Sequence, residues 1–222
     1  MIHLTEAYKR YRSGTEHIEI LRGVSVEVSR GEFVAIMGAS GSGKSTLMNV
    51  IGCLDTLDSG VYELEGTRVN QLNSRSLASL RNRKFGFVFQ LFNLIARLDA
   101  IRNVELPMIY GCVPPAERRL RATEALTRVG LGDRLHHVPS HLSGGQQQRV
   151  AIARALANDP DIIIADEPTG SLDSISSEEI MKLFTELNRQ GKTILMVTHE
   201  NEVAAYAQRI IRLRDGRISE AA

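Results

Sequence analysis

The stretch FVAIMGASGSGKSTLMNVI, residues 33–51, decides the fold. It begins with five apolar residues without alternation, which is typical of a strand buried on both faces. The next segment matches the pattern G-x-x-x-x-G-K-[ST] from Gly38 to Ser45 and leads into an apolar helical stretch. In such a unit the backbone N–H groups of the loop surround an anion, and the helix N-terminus adds partial positive charge. The stretch therefore predicts a phosphate-binding loop in an α/β protein.

Two side chains in this loop have predicted roles of their own. Lys44 brings a full positive charge to the outer phosphates, and the Ser45 hydroxyl can ligate Mg²⁺. A random chain of this length would match the pattern about once in a hundred times. The competing interpretation is an ordinary glycine-rich turn between a strand and a helix, which the surrounding strand and helix patterns make the weaker one.

Three more apolar runs without alternation, at residues 85–89, 162–165 and 193–197, predict further buried strands. Helical spacing at residues 150–157 and 177–190 lies between them. Buried strands that alternate with helices predict a mostly parallel sheet.

The rest of the chain predicts two additions to this sheet. The first thirty residues alternate apolar and polar side chains, which indicates antiparallel strands near a sheet edge. Residues 91–157 contain no comparable strand run, and their helical patterns are punctuated by prolines, Pro107 among them. We therefore expect one domain over residues 1–222, with a core at about 1–90 and 158–222 and an inserted helical subdomain at about 91–157.

Composition excludes several classes of protein. The chain has 222 residues, 43% hydrophobic and 24% charged, so it is neither disordered nor collagen-like. Its net charge of +1 argues against nucleic acid as a partner, since phosphate neutralisation needs a more basic chain. No apolar run reaches the length of a membrane span, and the first residues lack a signal-peptide core. Cys53 and Cys112 match no metal spacing or redox pair, which fits a reducing cytoplasm.

Polar side chains follow the predicted buried strands where each strand ends. They are Gln90, the pair Asp166 and Glu167, and, after Thr198, His199. Ligands of open parallel sheets bind outside the carboxyl ends of the strands, so we expect these groups at a nucleoside triphosphate site. Asp166 suits Mg²⁺, directly or through water, and Glu167 can polarise an attacking water as general base. Taken singly, Gln90 and His199 are more often structural residues.

The string Leu-Ser-Gly-Gly-Gln at residues 142–146 indicates a second anion site. Ser143 stands where a helix N-cap belongs, and Gly144 and Gly145 let a phosphate approach the helix N-terminus closely. The competing interpretation is a simple serine-capped helix. Since the chain already has a phosphate loop, we expect a two-fold dimer in which Ser143 covers the nucleotide of the partner.

Taken together, these motifs resemble those of ABC-transporter ATPase subunits, in the same order and over essentially the whole chain. Residues 38–46 resemble the Walker A motif, Gln90 the Q-loop, residues 142–146 the signature, Asp166 and Glu167 the end of Walker B, residues 171–173 the D-loop, and His199 the switch histidine. The resemblance implies a RecA-like P-loop NTPase core with an N-terminal antiparallel β region and a helical signature subdomain.

The resemblance also implies a residue set for ATP and Mg²⁺. It implies catalytic roles for Glu167, His199 and Gln90, and Mg²⁺ ligation by Ser45, Gln90 and Asp166. An aromatic residue near the N-terminus stacks on adenine in this family; Tyr11 is at the matching place, and Tyr8 is the competitor. The remaining nucleotide-binding residues that it implies are Gly38, Ala39, Ser40, Gly41, Ser42, Gly43, Lys44, Ser45, Thr46, Ser143, Gly144, Gly145, Gln146 and Asp173.

Within the family, residues 85–110 and 142–156 resemble the MacB/LolD/FtsE-type group, whose ATPases work with membrane permeases. The resemblance implies an ATP-sandwiched homodimer on the inner face of the cell membrane, held there by a permease that is a separate subunit or is fused behind residue 222. It also implies that the permease docks along residues 91–110. Leu91 and Asp99 depart from the usual residues there, which leaves the identity of the partner open.

Two other classes of protein share parts of this pattern. A soluble ABC ATPase acting on DNA or ribosomes would need long coiled coils, zinc modules or a second ATPase half, and the sequence contains none of them. A small P-loop kinase shares Walker A but has no need of a signature, a D-loop and a switch histidine together. The sequence therefore favours an ATPase that drives a transporter.

Overall fold

The computed structural model describes residues 1–14 and 16–221, so the predicted end of the core at residue 222 lies outside it. By packing, the chain divides into two compact units. The first unit comprises Met1–Arg81 and Thr193–Ala222, and the second comprises Asn82–Lys192. Among the described residues, no helix is both long enough and apolar enough to cross a membrane.

The secondary structure follows the predicted order of elements. The strands are β1 (Ile2–Ser13), β2 (Glu16–Val28), β3 (Phe33–Met37), β4 (Ser59–Leu64), β5 (Thr67–Arg68), β6 (Phe85–Phe89), β7 (Ile162–Asp166), β8 (Thr193–Val197), β9 (Arg209–Arg214) and β10 (Arg217–Ala221). The helices are α1 (Lys44–Ile51), α2 (Ser74–Lys84), α3 (Ala100–Tyr110), α4 (Pro115–Arg128), α5 (Gly144–Leu156), α6 (Ser174–Arg189) and α7 (Asn201–Ala204). The four strands predicted from unbroken apolar runs, β3, β6, β7 and β8, are confirmed.

The first unit contains both an antiparallel region and parallel strands. Strands β2, β1, β4 and β5 pair in this order and are all antiparallel, which confirms the prediction for the N-terminal region. Strand β3 lies between β8 and β9 and is parallel to both, and β9 pairs with β10 in an antiparallel hairpin. All five residues of β3 are buried, as expected for a strand with both faces covered.

The second unit contains the parallel pair β6 and β7 together with helices α3 to α6. Helix α5 packs directly on β6: a Cβ atom at Gly86 would lie 2.4 Å from the carbonyl oxygen of Ala155. Because of this close packing, the strands group with the helices, and the unit is wider than the helical subdomain predicted at residues 91–157. Those narrower bounds stay a prediction.

Helix α3 continues through Pro107, which sequence reasoning treated as a break. The proline ring removes one N–H group from the helix, but the Pro107 carbonyl is well bonded. It accepts from the backbone N–H of Gly111 at 3.1 Å and from the side-chain amides of Asn82 and Asn158 at 2.9 and 3.2 Å. These bonds, with the buried Met108 beside them, hold the last turn of the helix that follows the proline.

Candidate functional site

The phosphate loop leaves β3 after Met37 and enters α1 at Lys44, so its predicted place between a strand and a helix is confirmed. The Lys44 ammonium donates hydrogen bonds to the carbonyl oxygens of Gly38 at 2.8 Å and Ala39 at 2.9 Å, which places its charge over the loop. Among the described residues, no side chain caps the N-terminus of α1. The first N–H groups of this helix can therefore bind an anion beside the lysine.

Three glycines give the loop a shape that other residues would not allow. The backbone is left-handed at Gly41, with φ 77°, and at Gly43, with φ 103°. At Gly38 the limit is space, since a Cβ atom would lie 2.2 Å from the carbonyl oxygen of Leu213. Backbone N–H groups at these glycines, next to a lysine, fit a phosphate group.

Tyr11 lies close to the start of α1. Its hydroxyl donates a hydrogen bond to Asp55 at 2.6 Å and is also within hydrogen-bonding reach of the Thr46 side chain. Burial and the carboxylate of Asp55 raise the pKa of this phenol above its ordinary value. The hydroxyl of Tyr8 is instead 3.5 Å from Glu6 and within reach of no residue in the phosphate loop that the structure shows. This placement favours Tyr11 over Tyr8 as the adenine-binding aromatic.

His199 follows β8 at the edge where the phosphate loop begins. Strands β3 and β8 are parallel, with Ile36 opposite Val197, so their carboxyl ends meet at one edge. Thr198, which is fully buried, donates its backbone N–H to Ile36 and accepts the N–H of Glu200 on its hydroxyl at 3.1 Å. These bonds fix the turn that presents the exposed His199.

In the second unit, Gln90 and Asp166 lie at neighbouring strand ends. Strands β6 and β7 are parallel, with Phe89 opposite Asp166, and Gln90 is the next residue along the chain. The Gln90 side chain also reaches the turn after Walker B, where a Cβ atom at Gly170 would lie 2.9 Å from its amide nitrogen. Glycine at position 170 thus leaves room for the glutamine next to the predicted metal ligand.

Glu167 has a left-handed backbone with φ 46° and a half-buried side chain. Such a conformation costs a non-glycine residue about 1–3 kcal/mol and is concentrated at functional sites. The turn is held from two sides: Gly170 donates its N–H to the Glu167 carbonyl, and the fully buried Gln148 of α5 donates to the Pro168 carbonyl at 2.6 Å. Helix α5, which begins within the signature, thus helps to maintain the strained backbone at Glu167.

The prediction that Ser143 caps a helix is confirmed. Its hydroxyl accepts the N–H of Gln146, and the Gln146 side chain accepts the N–H of Ser143 at 3.0 Å, which together form a capping box. The Ser143 hydroxyl keeps its own proton to donate, and Gly144 beside it is partly exposed. The helix N-terminus therefore offers donors to an anion, although Gln146 is engaged in the cap.

Asp173 caps α6 and lies close to the signature. Its carboxylate accepts the backbone N–H of Ser176 at 2.9 Å and the Ser176 hydroxyl at 2.8 Å, and these bonds hold its pKa below the ordinary value. The buried Gly145 packs against the same serine, since a Cβ atom there would lie 2.8 Å from the Ser176 hydroxyl oxygen. The D-loop and the signature are thus parts of one surface in the second unit.

Residues 91–110 divide into a buried and an exposed set. Three side chains of α3, Ile101, Val104 and Met108, are fully buried within the second unit. Four large apolar side chains in the same segment remain exposed, two of them to a large extent: Leu91 (74%), Ile95 (37%), Ile109 (46%) and Tyr110 (79%). We call these four the apolar patch.

Sequence reasoning missed three side chains that hold the predicted site in shape. Asp55 anchors Tyr11, as described above. Asn103, fully buried in α3, hydrogen bonds to the loop before it. Arg154 of α5 donates to the carbonyls of Phe92 at 2.8 Å and Asn93 at 2.5 Å. No short motif marks these residues; a polar residue within an apolar helical pattern was the available signal for Asn103 and Arg154.

Comparison with known proteins identifies the family. A family model described as ABC transporter matches residues 21–170 of the chain. The chain therefore belongs to the ABC transporter ATP-binding family, and its activity is the binding and hydrolysis of ATP.

Individual relatives agree with this assignment. The chain is 57% identical over 218 residues to an uncharacterized ABC transporter ATP-binding protein of Thermotoga maritima, covering 98% of this chain and 93% of that protein. It is 55% identical over 218 residues to the macrolide export ATP-binding/permease protein MacB of Brucella melitensis, covering 98% of this chain and 34% of MacB. The chain thus spans about a third of the length of that MacB protein. These relatives confirm the predicted likeness to the MacB-type group.

A solved structure confirms the predicted fold. The dimeric structure of a post-hydrolysis state of the ATP-binding cassette MJ0796, bound to ADP and Pi, is similar to this chain with a TM-score of 0.92 and 48% sequence identity. The similarity covers 100% of this chain and 98% of that one. The α/β cassette with an antiparallel β region and a helical subdomain is therefore the fold of this protein.

Proposed function

We propose that the chain hydrolyses magnesium-bound ATP as one half of a two-fold dimer and thereby drives a membrane permease. The observation that carries this proposal is that one chain has two helix N-termini suited to an anion: the glycine cradle with Lys44, and the capped helix N-terminus at Ser143. A kinase or a simple nucleotide-binding protein needs only the first.

The predicted metal ligands suit Mg²⁺ chemically. Ser45, Gln90 and Asp166 offer a hydroxyl, an amide oxygen and a carboxylate, and Mg²⁺ prefers such hard oxygen ligands. When bound, the ion would neutralise charge on the phosphate oxygens during phosphoryl transfer. Glu167 takes a proton from the attacking water, and its strained, doubly held turn keeps the carboxylate in a fixed direction. His199, presented by the fixed turn after β8, acts as the switch residue that the family resemblance implies.

The signature residues serve the nucleotide of the second copy. Ser143, Gly144 and Gly145 bind the phosphates from the side opposite the phosphate loop, and Asp173 belongs to the same surface. The dimeric arrangement of the MJ0796 cassette, with ADP and Pi, supports this proposal. The shared site also explains why one chain carries both motifs, since each would be incomplete alone.

The permease docks on the apolar patch. Four large exposed apolar side chains within one segment of twenty residues suit a partner site, and the first of them directly follows Gln90. The MacB relative is named an ATP-binding/permease protein, and we propose a permease of this type as the partner here, separate or fused. The protein is then peripheral on the cytoplasmic face of the membrane. We expect no nucleic acid partner.

The test of the catalytic assignment is Glu167→Gln. This variant should bind ATP normally but turn over roughly 10²–10⁴-fold more slowly, which is the usual contribution of a general base. It should also accumulate an ATP-bound dimer in sedimentation, because hydrolysis opens the dimer. Glu178→Gln on the exposed side of α6 is the matched control. Near-normal single-turnover hydrolysis by Glu167→Gln would show that another group is the base.

Mixing two inactive variants tests the arrangement in which two chains share each ATP site. Lys44→Ala should weaken ATP binding, whereas Ser143→Arg should leave binding by the monomer intact and abolish dimerisation. A mixed dimer contains one site with both lesions and one with neither, so mixing two inactive variants should restore part of the activity. Normal hydrolysis by monomeric Ser143→Arg would contradict the arrangement.

The docking surface is tested with a charge in the patch. Leu91→Glu should abolish stimulation by a reconstituted permease and leave the basal ATPase activity in place. Leu120→Glu, at another exposed leucine, on α4, is the control and should be stimulated normally. Full stimulation of Leu91→Glu would remove the patch as the docking site.

A further inference from the structure

We propose that Asp55 is a positioning residue for adenine recognition, because it fixes the aromatic ring of Tyr11 in the orientation in which a base can stack on it. The inference rests on the proposed role of Tyr11 in binding ATP. It assigns a function to a carboxylate that lies outside every motif of the sequence.

The geometry of Asp55 supports this role. One carboxylate oxygen accepts the Tyr11 hydroxyl at 2.6 Å, and the other accepts the Lys9 ammonium at 2.6 Å. Each oxygen thus has its own partner, and the tyrosine is tied down at the end of the ring that is farthest from the backbone. Burial raises the pKa of Asp55, but the bonds from Lys9 and Tyr11 outweigh it and keep the pKa below its ordinary value. The carboxylate is therefore ionised and accepts both bonds at neutral pH.

Lys9 completes the arrangement. It is 7% exposed, and its ammonium also donates to the Thr56 carbonyl at 2.7 Å, so it is held by the loop that carries Asp55. The same ammonium lies 5.2 Å from the centre of the Tyr11 ring, over one face. This leaves the opposite face for a base, and the residue as a whole is still 39% exposed.

The consequence is a pre-ordered stacking surface. A tyrosine at the protein surface loses rotational freedom when a ligand immobilises it, and that loss weakens binding. Here the hydroxyl is anchored before ATP arrives, next to Thr46 at the start of the helix that follows the phosphate loop. The ring and the phosphate loop are thus fixed relative to each other within the first unit.

A purely structural role for Asp55 is the competing explanation. The carboxylate also accepts the N–H of Thr56, and the neighbouring Asp58 accepts the N–H of Arg10 in β1. These two bonds stabilise the loop itself. A structural role would disturb every ligand of the site. A positioning role would affect only ligands that contain a base.

The experiment compares the binding of ATP with that of inorganic tripolyphosphate, measured by calorimetry on the full chain. Tyr11→Ala should weaken ATP binding about 5- to 100-fold, as expected for lost stacking, and leave tripolyphosphate unchanged. Asp55→Ala should weaken ATP binding about 2- to 10-fold, again without effect on tripolyphosphate. Asp58→Asn retains an acceptor oxygen for Arg10 and is the matched control, with no effect on either ligand.

Tyr11→Phe separates the hydroxyl from the ring. It should weaken ATP binding by the same factor as Asp55→Ala, and the double variant should be no weaker than either, because both changes remove the same hydrogen bond. If Asp55→Ala does not fold, Tyr11→Phe alone decides: unchanged affinity for ATP would overturn the inference.

The remaining outcomes separate the role of Asp55 from the proposed role of Tyr11 in binding adenine. If Tyr11→Ala leaves ATP binding unchanged, the adenine role of Tyr11 is wrong and the inference falls with it. If Tyr11→Ala acts only on ATP but Asp55→Ala weakens both ligands alike, Asp55 is structural and the inference alone is overturned. The same holds if Asp55→Ala weakens neither.

Discussion

Asn103 provides a quantitative test of how the segment that leads to α3 is held. It is fully buried, and its side chain makes four hydrogen bonds to the backbone of the preceding loop. The amide oxygen accepts the N–H of Ile95 at 2.8 Å, and the amide nitrogen donates to the carbonyls of Ile95, Leu98 and Asp99 at 3.2, 3.0 and 3.0 Å. One side chain therefore replaces regular secondary structure for a five-residue turn.

The change Asn103→Leu keeps the volume of the side chain and removes all four bonds. The Asp99 carbonyl keeps a partner, since the backbone N–H of Asn103 also donates to it at 3.0 Å. The Ile95 carbonyl also keeps one, the backbone N–H of Leu98 at 3.0 Å. Two groups lose theirs, the Ile95 N–H and the Leu98 carbonyl, and at about 1 kcal/mol for each hydrogen bond the free energy of unfolding should fall by about 2 kcal/mol. For a chain of this length that corresponds to a decrease in Tm of about 4–8 °C.

The assay is thermal unfolding together with hydrogen exchange at the Ile95 amide. The exchange of this amide should accelerate strongly in Asn103→Leu. Arg102→Leu changes the adjacent exposed residue of the same helix and should alter stability by less than about 0.5 kcal/mol. A decrease in Tm below about 2 °C, or an Ile95 amide that stays protected, would refute the conclusion that Asn103 holds the loop.

Three further predictions concern other parts of the chain. Gly86→Ala should destabilise the protein by about 2 kcal/mol or more in urea unfolding, because its Cβ atom would lie 2.4 Å from the Ala155 carbonyl; an unchanged midpoint would contradict this packing. Iodoacetamide at neutral pH should label the exposed Cys112 and spare Cys53 until the chain is unfolded, since burial raises the pKa of the Cys53 thiol to about 11; mass spectrometry of digests decides. The pKa of Asp55 is lower in the folded than in the unfolded chain, so its contribution to stability is present above the unfolded pKa and is lost as the pH falls through the folded pKa. The difference in stability between the protein and Asp55→Asn should therefore shrink between pH 6 and about pH 3. A difference that stays constant with pH would contradict the shift.

The sequence predicted those parts of the molecule that depend on local pattern. Unbroken apolar runs located β3, β6, β7 and β8, and the glycines of residues 38–43 located a loop whose backbone few other residues can adopt. The N-cap at Ser143 followed from the same kind of local rule. Such features are set by residues close together in the chain, so a pattern can indicate them.

What the sequence did not predict depends on contacts between distant residues. The bond between Tyr11 and Asp55 spans 44 positions, and the bonds from Arg154 to Phe92 and Asn93 span 62 and 61. The side-chain bonds to the Pro107 carbonyl in α3 likewise come from two asparagines elsewhere in the chain. No local rule contains these partners, and they are the groups that orient the predicted site residues.

Helix α5 joins two strained segments mechanically. Arg154 near its end holds the carbonyls of Phe92 and Asn93, both left-handed, and Gln148 nearer its start holds the turn after Glu167. The helix has 13 residues and is therefore a stiff rod about 20 Å long. A displacement of Phe92 and Asn93 would therefore act on the same helix that holds the turn after Glu167, the residue proposed as the general base. Two strained segments that lie far apart in the sequence thus share one rigid support.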